Sequence, residues 1–300
     1  MSPSIEKVAV FGAAGNFGAP ITSALIAAGF HVTVISRPES TSNFPSQVAV
    51  IRTDYTVGGL TEALVGQDAA VCVVGPAGIA SHVAMIDAAE AAGLKRFIIN
   101  DFGWGPNFRS EPEFREIGAR RHVAWDHAKK LAQENPRFTW TGITIGNPID
   151  WALRRFSRMG FDVKQRSANI YDEGTEQFTG TTLEGIGQAV AGVFRNPDAT
   201  ANRFVRVRSI QVCQNQLLEA FQHATEGEWN IHRGSTKELF ESGKRKHQAG
   251  AGGWVLDLLV FQLFEPGKSR CIVASREDSD AELLGVREES PAEVVAKVLK

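Results

Sequence analysis

The sequence predicts an α/β fold, a doubly wound parallel sheet with a smaller C-terminal lobe, on three observations. Short apolar runs alternate with helix-like segments through the first half of the chain. Those runs are continuously apolar, so both faces of each strand are covered, as in a parallel sheet with helices on either side. The first run ends in a glycine-rich turn that opens directly into a helix of small residues.

In order, strands are expected at 7–12 (KVAVFG), 31–36 (HVTVIS), 48–52 (VAVIR), 69–74 (AAVCVV) and 96–100 (RFIIN), with helices at 17–28, 60–64 and 80–92 between them. Residues 104–118 (WGPNFRSEPEFREIG) break the rhythm with prolines, glycines and mixed charge, and read as a long loop over the sheet's carboxyl edge. A helix at 122–133, a strand at 139–145 (TWTGITI) and a helical turn at 150–155 follow. Further on come a helix at 183–194, a strand-like piece at 204–207 and a helix at 214–224. The boundary is set at a Rossmann-like nucleotide unit over 1–150 and a smaller substrate lobe over 151–300, some of whose segments return to the first sheet.

Composition narrows the function. Of 300 residues, 43% are hydrophobic and 22% charged, which is the balance of a globular chain and not of a disordered or fibrous one. A formal net charge of -2 gives no broad positive field, so neither nucleic acid nor an anionic membrane is an expected partner. Cys72, Cys213 and Cys271 are odd in number and far apart, which suggests reduced thiols, no metal site and a cytoplasmic setting. The first residues show no leader pattern. The apolar stretch 254–264 holds Asp257 and Gln262, is about half a bilayer span, and reads as a buried helix.

The turn Gly12-Ala13-Ala14-Gly15-Asn16-Phe17-Gly18 carries the first chemistry. Glycines there allow a tight turn, close approach of backbone amides to a pyrophosphate, and close helix–strand packing. The helix N-terminus adds free N–H groups and a partial positive charge. The second strand ends Ile35-Ser36-Arg37-Pro38, without the acid that meets an NAD ribose; Arg37 suits a 2'-phosphate, so NADP(H) is the expected cofactor. Glu39, two residues on, keeps NAD as the alternative. Asp54 after the third strand could meet the adenine amino group or serve only as a turn residue or cap. Gly75 and Pro76 end the fourth strand where a ribose and pyrophosphate could pass, or form only a turn.

These motifs, together with SRP, RTDYTVGGLTEAL, KRFIINDFGWGP, FTWTGITIGNPIDWAL and a block from Thr181 through Asn196-Pro197 to Trp229, resemble the NmrA-like and isoflavone reductase-like group of atypical short-chain dehydrogenases. The resemblance spans about three quarters of the chain. It implies an NADPH-dependent reductase of a small aromatic or phenolic molecule, of the kind found in fungal secondary metabolism. By position, Asn100, Asp101, Phe102 and Gly103 match the family's stretch beside nicotinamide and substrate, and Asn147, Pro148 and Ile149 match the opposite wall.

One departure stands out. The family's catalytic lysine falls on Arg121, which stabilises an oxyanion but exchanges no proton at neutral pH. Adjacent His122 is of the residue type most used for proton transfer, so Arg121 and His122 are the catalytic candidates, against the plainer reading of a solvated helix start. Trp104, Phe108 and Phe114 either close an aromatic substrate pocket or anchor the loop. Asp150 and Trp151 either face the substrate or form a capped turn, the cap being favoured. The basic run 244–247, near a glycine-rich stretch, reads as a solvated face on a mobile segment.

The leading expectation is hydride transfer from NADPH to an activated C=C or C=O of an aromatic or polyketide-like molecule. Two rivals remain: an NADP-sensing regulator that contacts a protein partner without turnover, and a non-redox isomerase, dehydratase or cyclase on the same fold. The sequence leaves the oligomeric state open, a homodimer included.

Overall fold

Continuous apolar strands separated by helices fold into a sheet covered on both faces, and the chain does so in register. The computed structural model describes residues 4–108 and 110–300; residues 1–3, within the stretch that shows no leader pattern, and Arg109 of the expected loop lie outside the described residues. Strands β1 (Lys7–Phe11), β2 (His31–Ser36), β3 (Ala49–Arg52), β4 (Ala69–Cys72), β5 (Arg96–Ile98) and β6 (Thr139–Thr144) come from the first half. Helices α1 (Gly18–Ala27), α2 (Val57–Leu64), α3 (His82–Ala91) and α4 (Arg115–Glu134) connect them.

The remaining elements are α5 (Ile149–Arg155), β7 (Phe161–Asp162), β8 (Ser167–Tyr171), β9 (Phe178–Gly180), α6 (Leu183–Arg195), β10 (Arg203–Arg206), β11 (Ile210–Val212), α7 (Gln214–Thr225) and β12 (Asn230–Gly234). After them come α8 (Thr236–Gln248), α9 (Trp254–Phe264), α10 (Ala281–Leu284) and α11 (Pro291–Leu299). Seven strands form one parallel sheet in the order β10-β6-β5-β4-β1-β2-β3. The strand-like piece near 204–207 is thus the sheet's edge, next to β6.

Successive side chains of a strand point to opposite faces, and here both faces are apolar. Val8 and Val10 of β1 join Ile21 and Leu25 of α1 and Val190 and Phe194 of α6 in one core. Ala9 and Phe11 face the other core, with Leu60 of α2, Met85 of α3 and Trp125 of α4. A third core, built from 149–180 and the C-terminal segments, centres on aromatic residues: Phe161 lies 5.0 Å from Phe221, which lies 5.2 Å from Trp229. Its short strands pair as β12-β8-β7 and β11-β9.

Two sequence expectations are corrected. Helix α4 begins at Arg115, about two turns before residue 122, because Pro112 starts a 3-10 turn over Pro112–Phe114 that feeds the helix. Proline is tolerated in a first turn, and Glu113 and Glu116 complement the positive end of the helix. The loop therefore stops at Glu111. The basic run 244–247 belongs to α8 and is no mobile segment. Buried Leu239 and Gly243 dock α8 on α9, while Lys244 Nζ meets Glu113 at 2.7 Å and Lys246 Nζ meets Asp257 at 2.6 Å. The apolar stretch 254–264 is the helix expected, with Asp257 held by Lys246 and the Ser242 hydroxyl. Among the described residues no helix is long and apolar enough to cross a membrane.

Candidate active site

The glycine turn is built backbone on backbone. Gly12 has φ +82, and a Cβ there would stand 2.6 Å from the Val73 carbonyl oxygen of the neighbouring strand end. The Gly15 amide donates to the Gly12 carbonyl at 2.9 Å. A Cβ on Gly18 would reach within 2.0 Å of that same carbonyl oxygen. No side chain caps α1, so the positive end of its dipole is left to whatever binds at the turn.

The turn opens onto a cleft of about 650 Å³ along the carboxyl ends of β1, β2 and β4. Gly12, Gly15, Arg37, Asp54, Gly75 and Pro76 all line it, from four separate stretches of sequence. Arg37 is 65% exposed with its Nε 3.4 Å from Glu39, so the acid that left NAD open is itself occupied by the arginine. Asp54 accepts the Thr56 hydroxyl at 2.7 Å, and it is Thr56 that caps α2. Asn16 is exposed and does not line the cleft, and the Phe17 ring packs edge-on against Trp151 at 5.6 Å. Asn100 braces the cleft from behind: its side-chain amide donates to the Val74 carbonyl at 2.8 Å, and its backbone N–H donates to His82 Nε2 at 3.2 Å.

Beside Asn100, the carboxyl ends of β5 and β6 gather a buried polar group. Asp101 is 3% exposed; burial pushes its carboxyl up to about 7, against the opposing pull of the Thr144 hydroxyl, which donates to Oδ2 at 3.0 Å, and of nearby Arg121. Burial, and then the Arg121 charge, push His82 down to about 4, so its imidazole is neutral and accepts the Asn100 amide. Arg121 has a buried Nε with no hydrogen-bond partner, and a Cβ on Gly103 would lie 3.4 Å from its guanidinium. Phe102 holds φ +38, a costly conformation for a bulky residue, where the chain leaves β5. The Gly103 carbonyl accepts the amides of Ile145 and Gly146 at 2.9 and 3.0 Å, stitching this stretch to the segment entering Asn147.

Not every sequence candidate comes here. His122 is exposed with its ring on Trp125 at 4.9 Å, since adjacent residues of a helix face different ways. Ile149 is fully buried in the third core, and Pro148 is half-buried before it. Asn147 is 8% exposed, and its side-chain Oδ1 is buried without a donor. Asp150 neither faces the cleft nor simply caps α5; its Oδ1 accepts the amides of Trp151 and Leu183, both at 3.0 Å, joining the starts of α5 and α6. Trp104 and Phe108 stack at 5.1 Å over a second cleft, whereas Phe114 anchors against Trp254 at 5.4 Å.

A family profile described as NAD(P)H-binding matches residues 12–172, from the first glycine of the turn to beyond β8. The chain belongs to this NAD(P)H-binding family. It is 59% identical over 300 residues to Oxidoreductase poxI of Penicillium oxalicum, covering 100% of this chain and 96% of that one. Two solved structures share its fold. Isoflavone reductase matches with a TM-score of 0.75 at 17% identity, over 97% of this chain and 98% of that chain. A structure described as AtPrR2 with NADP+ and (+)pinoresinol matches with 0.79 at 18% identity, over 99% and 100%.

The cleft at the glycine turn fits a dinucleotide on physical grounds. Its turn has no room for a Cβ at Gly12 or Gly18, and its helix N-terminus lacks a side-chain cap. Sequence reasoning missed His82 and Thr144, side chains that hydrogen-bond Asn100 and Asp101. Thr144 could have been found as the last residue of the strand beside the carboxyl edge. His82 carried no signal beyond its position at the start of a helix after the Gly75-Pro76 turn.

Proposed function

We propose that this protein is an NADPH-dependent reductase of an aromatic or polyketide-like small molecule in secondary metabolism, acting on an activated C=C or C=O. The observation that carries the reading is the buried Asp101 carboxyl with the Arg121 guanidinium near it, next in sequence to Asn100, whose side chain bonds Val74 of a cleft that also presents Arg37. The naming of the 59% identical relative as an oxidoreductase supports it, as does the NADP+ held by the pinoresinol-bound structure of the same fold.

Gly12, Gly15 and the head of α1 hold the pyrophosphate, Arg37 the 2'-phosphate, and Asn100, by fixing Val74, keeps the cleft's inner wall in place. NADPH, when bound, supplies the hydride. Arg121 opposes the negative charge that grows on the substrate oxygen, the role that a fixed cation performs best in a dry site. Asp101, protonated near neutral pH, is the proton donor; Thr144 holds its carboxyl in orientation. Phe102 and Gly103 fix both groups at the strand end. The test is a steady-state assay with NADPH and a panel of aromatic ketones and enones. Turnover that falls at least about hundredfold in Asp101→Asn supports the reading; tight NADPH binding with no consumption across the panel refutes it.

A second reading, a regulator that senses NADP without turnover, draws on one observation: among Asp101, Arg121 and His122, the only group that both lies at the site and carries an exchangeable proton is 3% exposed. It predicts a large affinity difference between NADP+ and NADPH and a co-purifying protein partner. Equal affinities and no partner retire it.

A further inference from the structure

A second cleft, of about 690 Å³, lies where the loop after β5 crosses the ends of β6 and β10. One side is aromatic: Trp104 and Phe108 stack nearly parallel, at 20° and 5.1 Å, and Phe204 lines the cleft beside them. The other side is basic, formed by Arg206, Lys268 and Arg270. Thr144 is part of the wall, and its hydroxyl is the one that donates to Asp101. The cleft therefore touches the proposed proton donor through a single hydrogen bond.

The charges in it do not cancel. Arg270 is consumed by Glu111 at 2.7 Å and Glu265 at 2.5 Å, and Glu111 also meets Lys244 at 3.4 Å. Asp280 takes Arg203 in a two-armed contact at 2.7 and 3.2 Å. Glu176 accepts the backbone amides of Gly267 and Ser269, both at 2.6 Å, and Asp278 accepts the Ser275 hydroxyl at 2.9 Å. Glu111, Glu265 and Asp280 are thus paired with other cations, and Glu176 and Asp278 are held by neutral donors, while among the described residues neither Arg206 nor Lys268 forms an ion pair. The Arg206 guanidinium gives one bond, to the Asp278 carbonyl at 3.2 Å, while its backbone amide donates to Asp280 Oδ2 at 2.8 Å. The amides on either side of Lys268 are pinned by Glu176, so its position on the wall is fixed while its side chain stays exposed.

We propose that this cleft receives the substrate and that the substrate carries a carboxylate beside its aromatic ring, the ring on Trp104 and Phe108 and the carboxylate between Arg206 and Lys268. The inference rests on the reductase reading for what happens to the ligand next, but its binding can be measured without turnover. Flat aromatic faces reward stacking, and two cations on one wall that form no ion pair among the described residues reward a single anion.

The test is calorimetric titration of the NADP+-saturated protein with trans-cinnamate and, separately, trans-cinnamamide, which has the same ring and shape without the charge. Cinnamate is expected to bind at least about tenfold tighter, the effect of one charge-assisted contact. The double variant Arg206→Met/Lys268→Met should erase that preference, and Trp104→Ala should weaken both ligands. Both cations are exposed, so unchanged thermal unfolding of the double variant verifies that the fold is intact. Equal binding of acid and amide, a preference that survives the double variant, or no detectable binding of either ligand overturns the proposal. A protein that binds cinnamate as described yet oxidises no NADPH with any substrate refutes the reductase reading and leaves this inference standing.

Discussion

Gly18→Ala perturbs the dinucleotide turn where it has least room to adjust. The new Cβ would stand 2.0 Å from the Gly12 carbonyl oxygen and 2.8 Å from two backbone atoms of Ala13, while ordinary contact starts at 3.4 Å. The turn must open by about 1.4 Å, the difference between 3.4 and 2.0 Å, and because the neighbours are backbone, no side chain can swing aside. A movement of that size breaks the 2.9 Å bond between the Gly15 amide and the Gly12 carbonyl and carries the amides away from a bound pyrophosphate. Losing two amide–phosphate contacts at about 1.5 kcal/mol each costs about 3 kcal/mol, or roughly a hundredfold in NADPH affinity. Calorimetric titration with NADPH measures it, with circular dichroism showing that the variant folds. Gly58→Ala, in α2 with nothing within 4 Å of its Cβ, serves as the control and should leave affinity unchanged. A folded Gly18→Ala protein that binds NADPH within about threefold of the parent refutes the account of the turn.

Arg37→Ala should weaken NADPH by roughly tenfold and leave NADH nearly unaffected, because the side chain is exposed, pairs only with Glu39 among the described residues, and is proposed to hold the phosphate that NADH lacks; parallel titrations of both cofactors check it. Asp101 titrates at about 7 in the folded protein, above the ordinary carboxylate value near 4, so its contribution to stability is present at low pH and is lost as pH rises through about 7. Asp101→Asn, neutral throughout, should therefore gain thermal stability relative to the parent between pH 5 and 8, and the parent's kcat should fall above about pH 7. His82 has the opposite sign: its pKa is pushed down to about 4, so its contribution is present above about 6.5 and lost as pH falls through 4. His82→Gln should flatten that acid limb in thermal unfolding measured from pH 7 to 4.

The sheet was legible because its strands are apolar on both faces, which no loop or amphipathic helix sustains; Lys7–Phe11 and His31–Ser36 follow directly from that pattern. The edge strand Arg203–Arg206 pairs with a strand some sixty residues earlier, so its composition announced a strand but not its place in the sheet. The start of α4 was hidden because Pro112, Gly118 and mixed charge imitate a loop until the proline is placed in a first turn. Helix α8 was hidden because its basic run, Lys244 to His247, obscures the Leu239 and Gly243 face that docks it. The cofactor site was legible from local motifs, since Gly12, Gly15, Arg37, Gly75 and Pro76 sit at strand ends that the sheet necessarily aligns. The proposed catalytic group was half legible. Arg121 and Asp101 were read by position, but the burial that raises the Asp101 carboxyl, and the Thr144 hydroxyl that meets it, come from tertiary packing that no local pattern records.

Deuterium transfer tests the central claim most directly. The protein is incubated with aromatic enones and ketones and with NADPH deuterated at one or the other face of nicotinamide C4, and the products are read by mass spectrometry. The account predicts one deuterium in the product from one labelled face only, with the added proton drawn from solvent and its transfer slowed in Asp101→Asn. Products that form without deuterium from either cofactor, or that form equally well without any cofactor, contradict it.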